Sequence, residues 1–266
     1  MALDVAALAS AGLLLLGAPS IGVRDLRARA DLEMRAIVAA LPAAEEERVA
    51  GIYLAFAPDE TDPTALAACD DDGDYVVVIS DAMLRLVEYV SAPEPGDSRS
   101  KDVTRYARFF ANAQTTRDRL VPPPPGFFSD EGETPASRER ADGAMSFLLA
   151  RELTHARLGE LTCPHPTRTR ERGDDEWTRA EATRADIRLR TMNPGTAERD
   201  GQIAEHLALA GKKTEGALAI LTFFAGVEAV AAQSPYAFIP SYLARHPHMA
   251  ARRAAFERAI ENAKKT

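Results

Sequence analysis

The stretch from Ser137 to Gly159 constrains this chain more than any other. Its first half carries Ala144, Met145, Leu148 and Leu149, an apolar run with the spacing of a core helix. The run leads directly into Arg151-Glu152-Leu153-Thr154-His155. Residues four apart lie one above the other on a helix, so Arg151 and His155 share a face, with Glu152 beside them. A buried guanidinium needs carboxylate partners, and the fold has to supply them.

The rest of the pattern is mostly helical. Helices are expected over Arg24–Ala40, over a segment opened by an Asp81 cap, over Val103–Thr116 and over Glu176–Met192. Others are expected over Ile203–Ala210, Thr214–Ala232 and Pro247–Lys264. Ile52 to Phe56 and Tyr75 to Ile79 read as strands. Asp70-Asp71-Asp72-Gly73-Asp74 lies between apolar runs and reads as a hairpin turn. It lacks the alternating spacing and distal Glu of a calcium loop. Val121 to Pro135, with its run of prolines, reads as a long surface loop. Helices with one early strand region make the fold class α+β, mainly helical.

The chain has 266 residues, enough for a sizeable core, and its 50 alanines favour helix. A net charge of −8 excludes general nucleic-acid binding, which needs a basic surface. Cys69 and Cys163 are too few for a zinc ribbon or a disulfide framework, and are compatible with two free thiols or one bridge. Val5 to Ala18 is apolar but short for a membrane span, and only Asp4 is charged before it. It is read as a buried or membrane-associated helix, with a cleaved signal as the alternative. Cytoplasmic location is the favoured reading and export the alternative. The division expected is an N-terminal helical segment over 1–40 and a main domain over 41–266.

Further motifs follow the first in order. Glu181-Ala182-Thr183-Arg184-Ala185-Asp186 falls in a second helix, and His246-Pro247-His248-Met249-Ala250-Ala251-Arg252 stands near the end. With Glu152-x-x-His155, this order resembles the gluzincin-type zinc metallopeptidases that include the bacterial heat-shock membrane protease and the CAAX prenyl-protein endopeptidase. The resemblance spans roughly residues 45 to 260. It implies a zincin-like architecture and peptide or protein substrates. It also implies His155 and Glu181 as zinc ligands, Glu152 as the base that activates metal-bound water, His246 and Arg252 on the substrate side, and Asp186 in support.

Two departures set this chain apart from that pattern. The first ligand position holds Arg151, whose guanidinium has no acceptor lone pair and repels a dication. The family places Glu four residues before Asp, and here that position is Ala182; Glu181 is rotated about 100° from it. Cys163 and His165 are the nearest substitutes, but their flanking prolines suggest a loop that leaves the site. His206 is expected to be exposed or locally hydrogen-bonded. The expectation is a degenerate metallopeptidase-like protein without a full zinc site, in which Arg151 supplies the missing positive charge and Glu152, Glu181 and Asp186 pair with it. Such a protein would bind a peptide or protein partner. An active zinc peptidase with an unusual ligand set and an unrelated helical interaction module are the competing readings. Zinc is the cofactor if the chain is active, and none otherwise.

Overall fold

The computed structural model describes residues 21–70, 73–92, 99–128, 133–163, 197–234 and 237–265. The described chain begins with α1 (Val23–Ala39), which buries Leu26, Ala30, Met34 and Ile37 at helical spacing. Leu41-Pro42 ends it, as a residue before proline disfavours helix, and the short α2 (Ala43–Glu46) follows. Three strands come next: β1 (Tyr53–Ala57), β2 (Ala65–Cys69) and β3 (Tyr75–Ser80). Their order in the sheet is β1-β3-β2, with β3 parallel to β1 and antiparallel to β2. The central place of β3 explains its unbroken Val76-Val77-Val78-Ile79 run, which is buried throughout.

Asp70, Gly73 and Asp74 join the antiparallel strands β2 and β3 as the sequence suggests. Asp70 N–H donates to Asp74 O at 2.9 Å, and Asp74 N–H donates to the Asp70 carboxylate at 2.8 Å. Gly73 supplies the left-handed residue, with φ of 89°. At the other end of β3, the cap of α3 (Asp81–Ser91) is Ser80, not Asp81. Ser80 Oγ accepts from Met83 N–H at 3.1 Å. Asp81 is instead gripped by Arg27 through two hydrogen bonds of 2.7 and 2.8 Å, which tie α3 to α1.

After α4 (Arg99–Ala113), the described part of the proline-rich segment is the expected irregular, partly exposed loop. Phe127 and Phe128 turn inward and pack edge-on against Tyr106, whose ring also meets Phe110 and Phe223. The long α5 (Pro135–Arg157) then runs through the middle of the molecule. Thr134 and Ser137 form a reciprocal cap at its start, with Pro135 at the first helical position. From Arg140 onward nearly every side chain of α5 is buried, since α1, α3, β2 and β3 surround it together with α6 (Ala197–Leu209) and α7 (Glu215–Ala231). The short α8 (Ser241–Arg245) and α9 (Met249–Ala263) complete the described elements, and α9 packs on α6 and α7. Leu26, Met34 and Ile37 of α1 belong to the same core as Phe147, Phe223 and Phe256. The result is mainly helical α+β with a small mixed sheet.

Cys69, at the end of β2, and Cys163, beyond α5, are joined by a disulfide across 94 residues. The bridge removes Cys163 from the set of candidate metal ligands. His165, the expected helix over 176–192 with Glu181, Ala182 and Asp186, and the apolar segment 5–18 lie outside the described residues. Among the described residues no helix is long and apolar enough to cross a membrane.

The crossing of α5 and α7 is closer than any side chain permits. A Cβ placed on Gly216 would stand 1.9 Å from Arg140 O and 2.4 Å from Ala144 N, and one on Gly143 would stand 2.4 Å from Lys213 O. Gly216→Ala is therefore expected to destabilise the protein by roughly 2–3 kcal/mol or more, because backbone must part to admit it. Gly201→Ala, whose new methyl meets only Ala259 Cβ at 3.7 Å, should be neutral or stabilise by about 0.5–1 kcal/mol. Urea denaturation of the two variants checks the contrast.

Candidate functional site

The last two turns of α5 present Arg151, Glu152 and His155, all buried, towards three different neighbours. Arg151 points to α6. Its Nη1 donates to Asp200 Oδ1 at 3.2 Å, and Arg252 Nη1 of α9 lies 3.6 Å from the same oxygen. The side chains of Arg151 and Asp200 are 2% and 0% exposed, so this is an interior ion pair. Among the described residues, Arg151 Nε and Nη2, Arg252 Nη1 and Asp200 Oδ2 have no hydrogen-bond partner. The carboxylate that answers Arg151 is thus Asp200, and Glu152 turns elsewhere.

Glu152 points to the sheet. Its Oε2 accepts from Ala67 N–H of β2 at 3.1 Å. Its Oε1 lies 3.3 Å from His246 Nε2 and makes no well-formed hydrogen bond. His246 is placed by the turn between α8 and α9. Its Nδ1 lies 3.0 Å from Tyr242 O, and the two rings pack with centroids 4.4 Å apart. The turn itself is pinned by Glu228 of α7, which accepts from His248 and Met249 N–H at 2.6 and 2.8 Å. The one carboxylate late in an apolar helix therefore caps α9 and holds His248 in a left-handed conformation, φ 68°. Arg252 is fixed by donation from Nε to Pro247 O at 2.8 Å.

His155 is placed by the way α5 ends. Gly159 adopts φ of 70°, Gly159 N–H donates to Ala156 O, and Glu160 N–H donates back to His155 O at 2.9 Å. This is the glycine-dependent helix stop of the Schellman type. It folds Glu160 over the helix end, so that its carboxylate meets His155 Nδ1 at 2.9 Å. Arg199 of α6 donates to the same carboxylate at 2.8 Å. Glu152, His155 and His246 are brought together, each offering one ligand-type atom within 4.8 Å of the others.

Burial dominates the electrostatics. It pushes the Glu152 carboxyl up to about 7, although Arg151, Arg245, Ala67 N–H and Arg252 all pull it down. Burial lowers His155 to about 4 against the pull of Glu160. It drives His246 well below the usual imidazole range, and Arg151 and Arg252 push the same way. Asp200 is raised by burial and held back by its arginines. Both imidazoles are therefore neutral near pH 7.

Each imidazole has Nδ1 against an acceptor, Glu160 or Tyr242 O, which places the proton on Nδ1 and leaves Nε2 with its lone pair. The arrangement differs from the ligand set implied by the metallopeptidase resemblance. Arg151, engaged with Asp200, does not fit the first ligand position of that set. His206 is neither exposed nor locally hydrogen-bonded: it is buried, with Nε2 2.7 Å from Ile37 O and Nδ1 3.2 Å from Arg157 Nη1, both distant in sequence.

Asp200, Glu160, Tyr242 and the Ala67 amide are contributors that the motifs do not reveal. Only the Leu158-Gly159 helix stop before Glu160 carried a local signal. Compared with known proteins, the chain matches no family model, no curated protein and no solved structure.

The pKa shifts give opposite pH dependences. A carboxyl whose pKa is raised on folding loses stability for the native state as pH climbs from its unfolded value through the folded one, here about 4.5 to about 7. A depressed imidazole loses it as pH falls, here from about 6.5 to about 4 for His155. Glu152→Gln removes the first effect alone. In chelator-treated protein its advantage over the unmodified chain should be near zero at acid pH and grow to the order of 2–3 kcal/mol above neutrality. Melting curves from acid to mildly alkaline pH measure it.

Proposed function

We propose that this chain is a metallopeptidase-like scaffold that does not cleave peptides by the gluzincin route. In this reading its zincin-like layout is retained: a long helix bearing Glu152 and His155 lies under the edge strand β2, and the His246–Arg252 segment closes over both. The observation that carries it is the buried Arg151–Asp200 pair at the first ligand position. A guanidinium there provides one positive charge and five donors, but no electron pair for a metal and no bound water to activate. Glu152, the residue that would act as base, is tied to Ala67 N–H and faces His246.

What remains in this reading is a buried centre that supports the fold, with a peptide or protein partner in place of a peptide substrate. The Cys69–Cys163 bridge favours an oxidising compartment, hence export over the cytoplasm. The experiment is a cleavage assay on casein and a panel of fluorogenic peptides, with and without added zinc. The expected outcome is turnover at the buffer level for the native chain and for Glu152→Gln alike. Cleavage by the native chain that Glu152→Gln lowers a hundredfold or more would overturn the proposal.

A further inference from the structure

The convergence of Glu152, His155 and His246 has a consequence independent of peptide cleavage. Glu152 Oε1 and His246 Nε2 face each other inside the protein, and His155, whose Nδ1 is taken by Glu160, has Nε2 left to offer. His246 Nε2 and Glu152 Oε1 are 3.3 Å apart, and the three residues offer ligand atoms within 4.8 Å. No described hydrogen-bond donor serves Glu152 Oε1, although the residue is 2% exposed. Buried acceptors in such a group need a proton or a metal cation between them.

We propose that Glu152, His155 and His246 form a binding site for one zinc-class transition-metal dication, through Glu152 Oε1, His155 Nε2 and His246 Nε2. Two imidazoles and one carboxylate are a donor set that zinc and similar ions accept, with further positions left open. Each donor is already held by a second contact on its far side. Glu160 orients His155, Tyr242 O orients His246, and Ala67 N–H fixes the other Glu152 oxygen. A carboxylate or carbonyl behind a ligating histidine is the usual support of a metal site. The set is not the one the sequence resemblance implies, because Glu152 and His246 act as ligands in it and neither Arg151 nor Glu181 takes part.

The nearby guanidiniums oppose a cation, and this objection has a structural answer. Arg151 and Arg252 share Asp200, while Arg199 is matched by Glu160. The edges that remain, Arg151 Nε and Nη2, are buried donors without a hydrogen-bond partner among the described residues, as is the Tyr242 hydroxyl. Donors of this kind suit a small anion, such as hydroxide or a carboxylate, that accompanies the metal. The charge of the cation is then balanced by Glu152 and by that anion.

The test uses the full chain, purified without an affinity metal, dialysed against zinc and then freed of excess. Elemental analysis should find one zinc per chain, and cobalt substitution should give visible d–d bands. His246→Ala should lose both. Glu160→Gln, which keeps the carboxylate shape and touches no metal, should keep the site but weaken affinity by about 10–100-fold. Folded native protein that retains no metal would overturn the proposal. So would His246→Ala with unchanged stoichiometry and spectrum, or Glu160→Gln with unchanged affinity. None of these readouts is peptide cleavage, so the metal site and the peptidase proposal stand or fall separately.

Discussion

A guanidinium buried in the middle of the protein sets the terms for everything around it. Arg151 is 2% exposed, and an unpaired charge at that depth would cost several kcal/mol. The structure meets the demand from outside the motif that contains it. Asp200 arrives from α6 and Arg252 from α9, so three helices distant in sequence meet at one carboxylate oxygen. A stray solvated face would show none of this. Arg151 is a cation of fixed charge, and it shares its counter-ion with Arg252.

The precision of that meeting depends on how α5 is held. Its crossing with α7 leaves no room for a side chain at Gly143 or Gly216, and that fixes its depth. The Gly159 stop fixes where it ends and what folds over its last turn. Glu228, from the far side of α7, fixes the turn that delivers His246 and Arg252. The disulfide fastens β2 to the segment beyond α5. Each device acts on a neighbour of the site and sets where the functional side chains stand. The second centre, at Glu152, His155 and His246, is built on the same last turns of α5 and feels the charge of Arg151. It inherits this rigidity.

Local chemistry made much of the fold legible. The helix over 137–159, the hairpin at the Asp-Gly turn and the buried central strand all follow from periodicity and turn residues. So does the association of Glu152 and His155. Other features depend on tertiary partners and carry no local signature. Asp200 sits in an ordinary polar helix start, and only its burial against Arg151 distinguishes it. Ser80 takes the cap assigned to Asp81 because Arg27 draws Asp81 away. Phe127 and Phe128 look like loop residues until the Tyr106 ring stands beside them. The counter-ions expected for Arg151 lie within the motifs, whereas the fold supplies one from outside them.

The dependence of Arg151 on Asp200 is the central claim, and a double-mutant cycle measures it directly. Arg151→Met and Asp200→Leu are made singly and together, and unfolding free energies are taken from urea titrations. Asp200→Leu strands two buried guanidiniums and should cost about 3–5 kcal/mol, Arg151→Met leaves Asp200 to Arg252 and should cost less, and the double change should cost less than the sum of the two. Strictly additive effects would mean that the two groups do not sustain each other, and that Asp200 is not what holds Arg151 in the interior.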